Sequence, residues 1–226
     1  LDLRRIIKTI LLIILPLFLI LVQPSLGVTV LTAIGFFGIF LAADINKKNI
    51  LFLGLITLIL IPVVFLLIAP YQKQRITSFL DPSKDPLGQG YNAIQSTISV
   101  GSGKWFGRGL GRGVGTQLLF LPERQTDFIF ASVSEEMGFT GAIVLIILTV
   151  FILFRVILYT EKAISIRARA FLAGLFLTFF AQVVIHVGMN MGLFPITGVP
   201  LPLVSAGGSS LLATMTAFGI AMGTKK

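Results

Sequence analysis

The sequence predicts an all-α integral membrane protein with six transmembrane helices and a large extracytoplasmic loop between the third and fourth. Three observations lead there. Mean hydropathy is +0.98, and 12% of residues are charged, a balance foreign to soluble domains. Several uncharged runs approach the roughly 20 residues that a helix needs to cross the hydrocarbon core. The basic residues fall on one side of the alternating segments, outside one long loop. No ten-residue barrel alternation appears, so helices must satisfy the backbone inside the bilayer.

Taken in order, Thr9 to Ala43 carries no charge. As one helix it would run roughly 50 Å, too long for one crossing. The string QPSLG at 23–27 divides it, because Pro24 cannot donate to a helix ladder and Gly27 relaxes the backbone. Spans are therefore expected near 6–22 and 28–43, with Lys8 snorkelling to the surface. A third follows near 50–69, and three more near 140–158, 170–188 and 206–223. The basic start, Leu1–Lys8, imitates a signal peptide, but the apolar run behind it is too long for one. With no initial Met, the chain reads as a fragment, in which spans 28–43 and 206–223 would lack neighbours and activity would be poor.

Arg4, Arg5, Lys8, Lys47, Lys48, Arg155, Lys162, Arg167, Arg169, Lys225 and Lys226 all lie on one face of this six-span scheme, which puts both termini in the cytoplasm. The formal charge of +9 is thereby absorbed by topology and implies no nucleic acid. With no cysteine, disulfides, thiolate nucleophiles and zinc-thiolate sites are excluded. One histidine, His186, cannot build a histidine metal cluster. Within its span, between Gln182 and Asn190, it reads as a packing or hydrogen-bonding residue.

The outside segment, 70–139, is too long for a passive connector and is the expected seat of function. YNAIQSTISV and Phe128 to Met137 read as short amphipathic helices. Glycines alternate from Gly101 to Gly115, but Lys104 is followed by Trp105, so no phosphate loop exists there. The stretch reads as a flexible loop, with Lys104, Arg108 and Arg112 as a cationic segment able to meet a diphosphate. FPITGVPLPLVSAGGSS, with Pro195, Pro200 and Pro202, is either a tight turn or irregular backbone lining a cavity.

Four of the nine acids, Glu123, Asp127, Glu135 and Glu136, crowd into FLPERQTDFIFASVSEEMGF. Glu135 and Glu136 read as the solvated approach to the next span. Asp127 has two competing roles. As a helix cap it would accept backbone N–H bonds and its pKa would fall; as a general base it needs a pKa nearer the working pH.

DPLGQGYNAIQSTISVGSG, FLPERQTDFIFASVSEEMGFTG and GLFPITGVPLPLVSAGGSS resemble signatures of the SEDS family (shape, elongation, division and sporulation), the FtsW, RodA and SpoVE proteins of bacteria. QPSLG resembles a fourth. The resemblance covers essentially the whole chain, 1–226, as a single partial transmembrane domain that supplies spans five to ten of a ten-span fold. It implies a peptidoglycan glycosyltransferase of the bacterial cytoplasmic membrane, polymerising lipid II into undecaprenyl-diphosphate-linked glycan. Asp127 matches the essential acid of the TDF string, and Glu123 and Arg124 match the adjoining PER string.

On the same footing, Arg108 and Arg112, Gln95 and Ser96, and Ser205, Gly207, Gly208 and Ser209 are expected substrate contacts. Loop cations or a divalent ion, Mg or Mn, would stabilise the diphosphate. A class B penicillin-binding transpeptidase would be the protein partner, and membrane lipids the surroundings. Two sequence departures stand out: Ser25 replaces an acid, and Ala206 an aromatic. LPERQTDF, with PITG lacking a lysine, leans to the RodA-like branch. Two other classes stay open, a flippase for lipid-linked precursor and a non-catalytic scaffold that activates the transpeptidase. Acids inside spans would favour the flippase and acids in the loop the polymerase.

Overall fold

The computed structural model describes residues 3–23, 25–43, 69–118 and 120–224. Every regular element among them is helical. α1 (Leu3–Val22) and α2 (Leu26–Ala42) are separated within the QPSLG string; Gly27, expected to relax the backbone there, lies inside α2, where a Cβ would stand 2.6 Å from Val199 and 2.9 Å from the Thr197 carbonyl. The expected span near 50–69 lies outside the described residues save Ala69, as does Pro24 itself. α3 (Pro70–Leu80) opens with proline at its first position, where the missing N–H costs nothing. A 3-10 turn over Pro82–Lys84 leads to α4 (Gln89–Ser102), the helix expected at YNAIQSTISV. The short α5 (Val114–Gln117) closes the glycine-rich stretch.

α6 (Ile129–Glu161) joins two elements expected to be separate, the 128–137 helix and the 140–158 span. The join is broken at Gly138, whose φ of 69° and ψ of −165° no residue with a Cβ adopts without strain. α7 (Ile166–Asn190) starts at Ser165, whose hydroxyl accepts the Ala168 N–H at 3.1 Å. α8 (Gly208–Gly223) ends the described chain. α6 and α7 are each long and apolar enough to cross a membrane; α2 and α8 are apolar but shorter.

Small residues set the packing. A Cβ on Gly38 of α2 would stand 2.7 Å from the Ala173 carbonyl and 2.9 Å from Gly174 Cα, so α2 and α7 touch backbone to backbone. α2 thus has a close neighbour in α7, whereas α8 buries only Ala221. Phe179 of α7 meets Phe218 of α8 edge-on at 5.5 Å. Val156, Ala163, Leu172 and Ala221 form a buried cluster where α6, α7 and α8 meet. A second cluster, Leu121, Phe128, Ala131 and Ile196, gathers α4, α6 and the proline-rich segment under the Asp127 turn. Burying a Leu or Phe there contributes about 1.5–3 kcal/mol each.

Candidate functional site

The site is a turn, Leu121 to Phe128, whose backbone is held at every carbonyl from Glu123 to Asp127. Glu123 takes a left-handed φ of 52°. Its carbonyl accepts from the N–H groups of Thr126, Asp127 and Phe128 at 3.0–3.2 Å. The Arg124 carbonyl accepts from Ser132 Oγ at 3.1 Å. The Gln125 carbonyl accepts from the Ala206 N–H at 2.8 Å, and the Thr126 carbonyl from Ser205 Oγ at 2.7 Å. The Asp127 carbonyl accepts from Asn190 Nδ2 at 3.0 Å. Left-handed backbone at a non-glycine residue costs about 1–2 kcal/mol, and this web of bonds offsets it.

Asn190 is the centre of the clamp. It is fully buried. Its Nδ2 also donates to the His186 carbonyl at 2.8 Å, while its Oδ1 accepts from the Ala131 N–H at 3.2 Å and Ser96 Oγ at 3.3 Å. Four and eight residues earlier on α7 stand His186 and Gln182. His186 Nδ1–H donates to the Val199 carbonyl at 2.7 Å and Gln182 Nε2 to the Pro200 carbonyl at 2.9 Å. One helix face therefore holds both the Asp127 turn and the irregular proline-rich backbone, which cannot satisfy itself. His186 is accordingly a hydrogen-bonding core residue.

Asp127 does not cap α6. Phe128 occupies the cap position, and no side chain caps the helix. The carboxylate is half-buried and its pKa is raised above the ordinary 3.8. Burial is the main cause, the Glu123 carboxylate adds to it, and the Arg75 guanidinium opposes it. Asp127 Oδ2 lies 3.5 Å from where a Cβ on Gly198 would stand, and Gly198 has a φ of 68°. Arg75, on α3, is the site cation that sequence reasoning missed. The available signal was the PYQKQR string, a proline-led helix start bearing two cations.

The expected substrate contacts separate into groups. Ser96 is buried, with its hydroxyl on the Asn190 carbonyl at 3.0 Å, so it braces the clamp and is closed to a substrate. Ser205 is likewise a bridge, accepting the Leu201 N–H at 2.8 Å while donating to Thr126. Glu123 is exposed beside Asp127, and its Oε2 accepts from Thr126 Oγ1 at 3.0 Å. Gln95 is half-buried on α4, Gly207 is the cap of α8, and Gly208 and Ser209 are exposed. Arg124 lines a cavity of about 650 Å³ with Gln125, Ser132 and Glu136. Asp127 is not among its lining residues. The proline-rich segment does not line it either; it cradles the Asp127 turn.

The glycine stretch is not a free connector. Gly107, Gly109 and Gly111 take left-handed φ values, and the segment straps across the break at Gly138. Arg108 N–H donates to the Glu135 carbonyl and Gly109 N–H to the Glu136 carbonyl, both at 3.0 Å. Glu135, expected in solvent, is 2% exposed, with Oε1 accepting the Gly115 N–H at 3.0 Å. Glu136 Oε2 accepts from the Gly111 N–H at 3.0 Å. The strap's docking converts the two acids from solvated residues to backbone acceptors. Arg108 and Arg112 are exposed on the strap.

Among the described residues no three His, Asp or Glu side chains converge into a metal cage. Glu123 and Asp127 alone do not make a site for Mg or Mn without oxygens from a bound diphosphate.

A helical scaffold with two helices long and apolar enough to cross a membrane, which clamps a polar turn and leaves one half-buried carboxylate without a hydrogen bond among the described residues, defines the class: an all-helical membrane protein with a carboxylate at a braced turn. The model for the FtsW, RodA and SpoVE family, described as "Cell cycle protein", matches residues 1–226, and the chain belongs to that family. It is 42% identical over 213 residues to peptidoglycan glycosyltransferase MrdB of Escherichia coli K12, covering 93% of this chain and 57% of that protein. It is 39% identical over 199 residues to the probable peptidoglycan glycosyltransferase FtsW of Shewanella sediminis, covering 86% and 48%. A chain solved in work on the structural coordination of polymerization and crosslinking by a peptidoglycan synthase complex superposes with a TM-score of 0.72 at 34% identity, covering 94% of this chain and 59% of that one. The chain thus spans about half the length of the relatives it matches.

Proposed function

We propose that the chain carries the catalytic turn of a peptidoglycan glycosyltransferase that polymerises lipid II, with Asp127 as general base. The observation that carries this is a carboxylate released from capping, raised in pKa and fixed by a fully bonded backbone. In the reaction, a sugar 4-hydroxyl attacks the anomeric carbon of the donor, and its proton passes to Asp127. The bond from that carbon to the diphosphate oxygen breaks with inversion, and undecaprenyl diphosphate leaves with the bonding pair. A raised pKa suits proton acceptance near neutrality, and a positioned base is worth about 10²–10⁴-fold. Arg124 and Arg75 supply positive charge for the diphosphate, as preorganised cations do at a developing anion.

In this reading the chain has six spans, including 50–69, with 70–139 outside the bacterial cytoplasmic membrane and both termini inside. Its partner is a class B penicillin-binding transpeptidase that cross-links the new strand. The test is lipid II polymerisation in detergent by the full-length protein and its Asp127→Asn variant. The variant is expected to lose activity about 10²–10⁴-fold, the worth of the base; normal glycan synthesis by a folded variant would refute the assignment.

A further inference from the structure

We infer that the glycine strap, Gly103 to Leu118, is an interfacial anchor that binds the headgroup layer of anionic phospholipids. The inference rests on reading α6 as a bilayer span. The strap is fastened where the apolar part of α6 begins: Phe139 N–H donates to the Lys104 carbonyl at 2.8 Å and Thr140 N–H to the Trp105 carbonyl at 3.1 Å. Trp105 meets Phe139 edge-on at 5.2 Å. Tyr159, which Arg155 approaches at 5.9 Å from the ring centroid, lies further along the same helix by roughly 30 Å, at about 1.5 Å per residue. That separation is the hydrocarbon thickness of a bilayer, about 30 Å. Tryptophan at one limit and tyrosine at the other is the pattern of an aromatic belt.

The strap's surface has matching chemistry. Trp105, Phe106 and Leu110 are 66%, 83% and 75% exposed, unfavourable in water but suited to the headgroup boundary. From Gly101 to Pro122 the sequence holds Lys104, Arg108 and Arg112 and no acid. All three cations are exposed. Glu135 and Glu136 each present a carboxylate oxygen to the strap's backbone N–H groups. Among the described residues the Lys84–Asp81 ion pair lies outside the strap. Three cations and exposed aromatics held at one membrane depth are complementary to an anionic lipid surface.

Trp105 is this chain's one tryptophan, which gives a direct reporter. The full-length protein is placed in phosphatidylglycerol vesicles brominated near the glycerol or near the chain end. The Trp105 signal is the difference from a Trp105→Phe variant. Bromine near the glycerol should quench it more than bromine at the chain end. Replacing Lys104, Arg108 and Arg112 by Gln should loosen the strap's attachment about five-fold per cation, as should phosphatidylcholine in place of phosphatidylglycerol.

Ile147, midway along the apolar part of α6 and 60% exposed, serves as the control. Ile147→Trp in the Trp105→Phe background should be quenched by the chain-end bromine. If Ile147→Trp is quenched while Trp105 is open to aqueous iodide and indifferent to bromine, the anchor is refuted and the span stands. If neither is quenched, the span reading falls and the anchor with it. Equal quenching in both lipids would refute the role of anionic headgroups. Protection that requires added lipid II would refute a phospholipid anchor in favour of a substrate contact.

Discussion

The Asp127 turn and the glycine strap treat their acids in opposite ways. In the turn, the hydrogen bonds go to the backbone, at Glu123 through Asp127, and among the described residues none goes to the Asp127 carboxylate. At the strap, the carboxylates themselves do the holding, Glu135 taking Gly115 and Glu136 taking Gly111. Eight residues apart in sequence, Asp127 is a group kept available, whereas Glu135 is buried and tied to the strap through one carboxylate oxygen, Oε1. A buried carboxylate bonded to backbone N–H is a fastener; a half-buried one beside a like charge is a proton acceptor in waiting.

Changes at the two regions should therefore have different signatures. The largest structural loss is expected from Asn190→Ala, which strips side-chain partners from Asp127 O and Ala131 N at once, while Ser96 Oγ keeps the residue-190 backbone carbonyl. Each unpaired buried group costs about 1–3 kcal/mol, so thermal unfolding should drop markedly, and kcat should fall more than KM rises because Asp127 loses its position. Glu135→Ala removes the strap's fastener. Hydrogen exchange at Gly115 and protease access to the strap should rise, whereas Glu135→Gln, which keeps an acceptor, should largely restore protection.

Next comes Gly198→Ala. A Cβ there carries left-handed strain of about 1–2 kcal/mol and brings a methyl group into van der Waals contact with Asp127 Oδ2, at 3.5 Å. Activity should fall with only a modest change in unfolding temperature. The smallest effects are electrostatic. The activity limb governed by Asp127 should lie above its ordinary value of 3.8. Glu123 raises that pKa and Arg75 lowers it, so Glu123→Gln should move the limb to lower pH and Arg75→Gln to higher pH, read from kcat/KM against pH.

Much of the frame is legible in the sequence because it follows from hydrophobic run length and from proline. QPSLG marks the gap between α1 and α2, and the uncharged runs mark α6, α7 and α8. The amphipathic α4 is legible too. What the sequence hides is tertiary. Nothing local distinguishes Glu135 from Glu136, and only the strap's docking buries the first. The fusion of the 128–137 helix with the following span hinges on Gly138, whose backbone is set by contact with Trp105 to Gly107. Ser96 and Ser205 look like substrate contacts in their strings, yet their hydroxyls are committed to the Asn190 and Thr126 carbonyls. Arg75 bears on Asp127 through its charge, a link between distant parts of the chain that no local pattern discloses.

The most direct measurement takes Asp127→Asn in the full-length protein and records lipid II polymerisation and unfolding temperature on one preparation across pH. Because the folded-state pKa of Asp127 is raised, its ionisation opposes folding: stability is greatest below 3.8 and declines as pH rises through the folded value. A base at Asp127 predicts an inactive variant that is as stable as the parent at low pH and at least as stable at neutral pH. An active variant, or an inactive one that is less stable than the parent at neutral pH and so lost its activity through its fold, contradicts it.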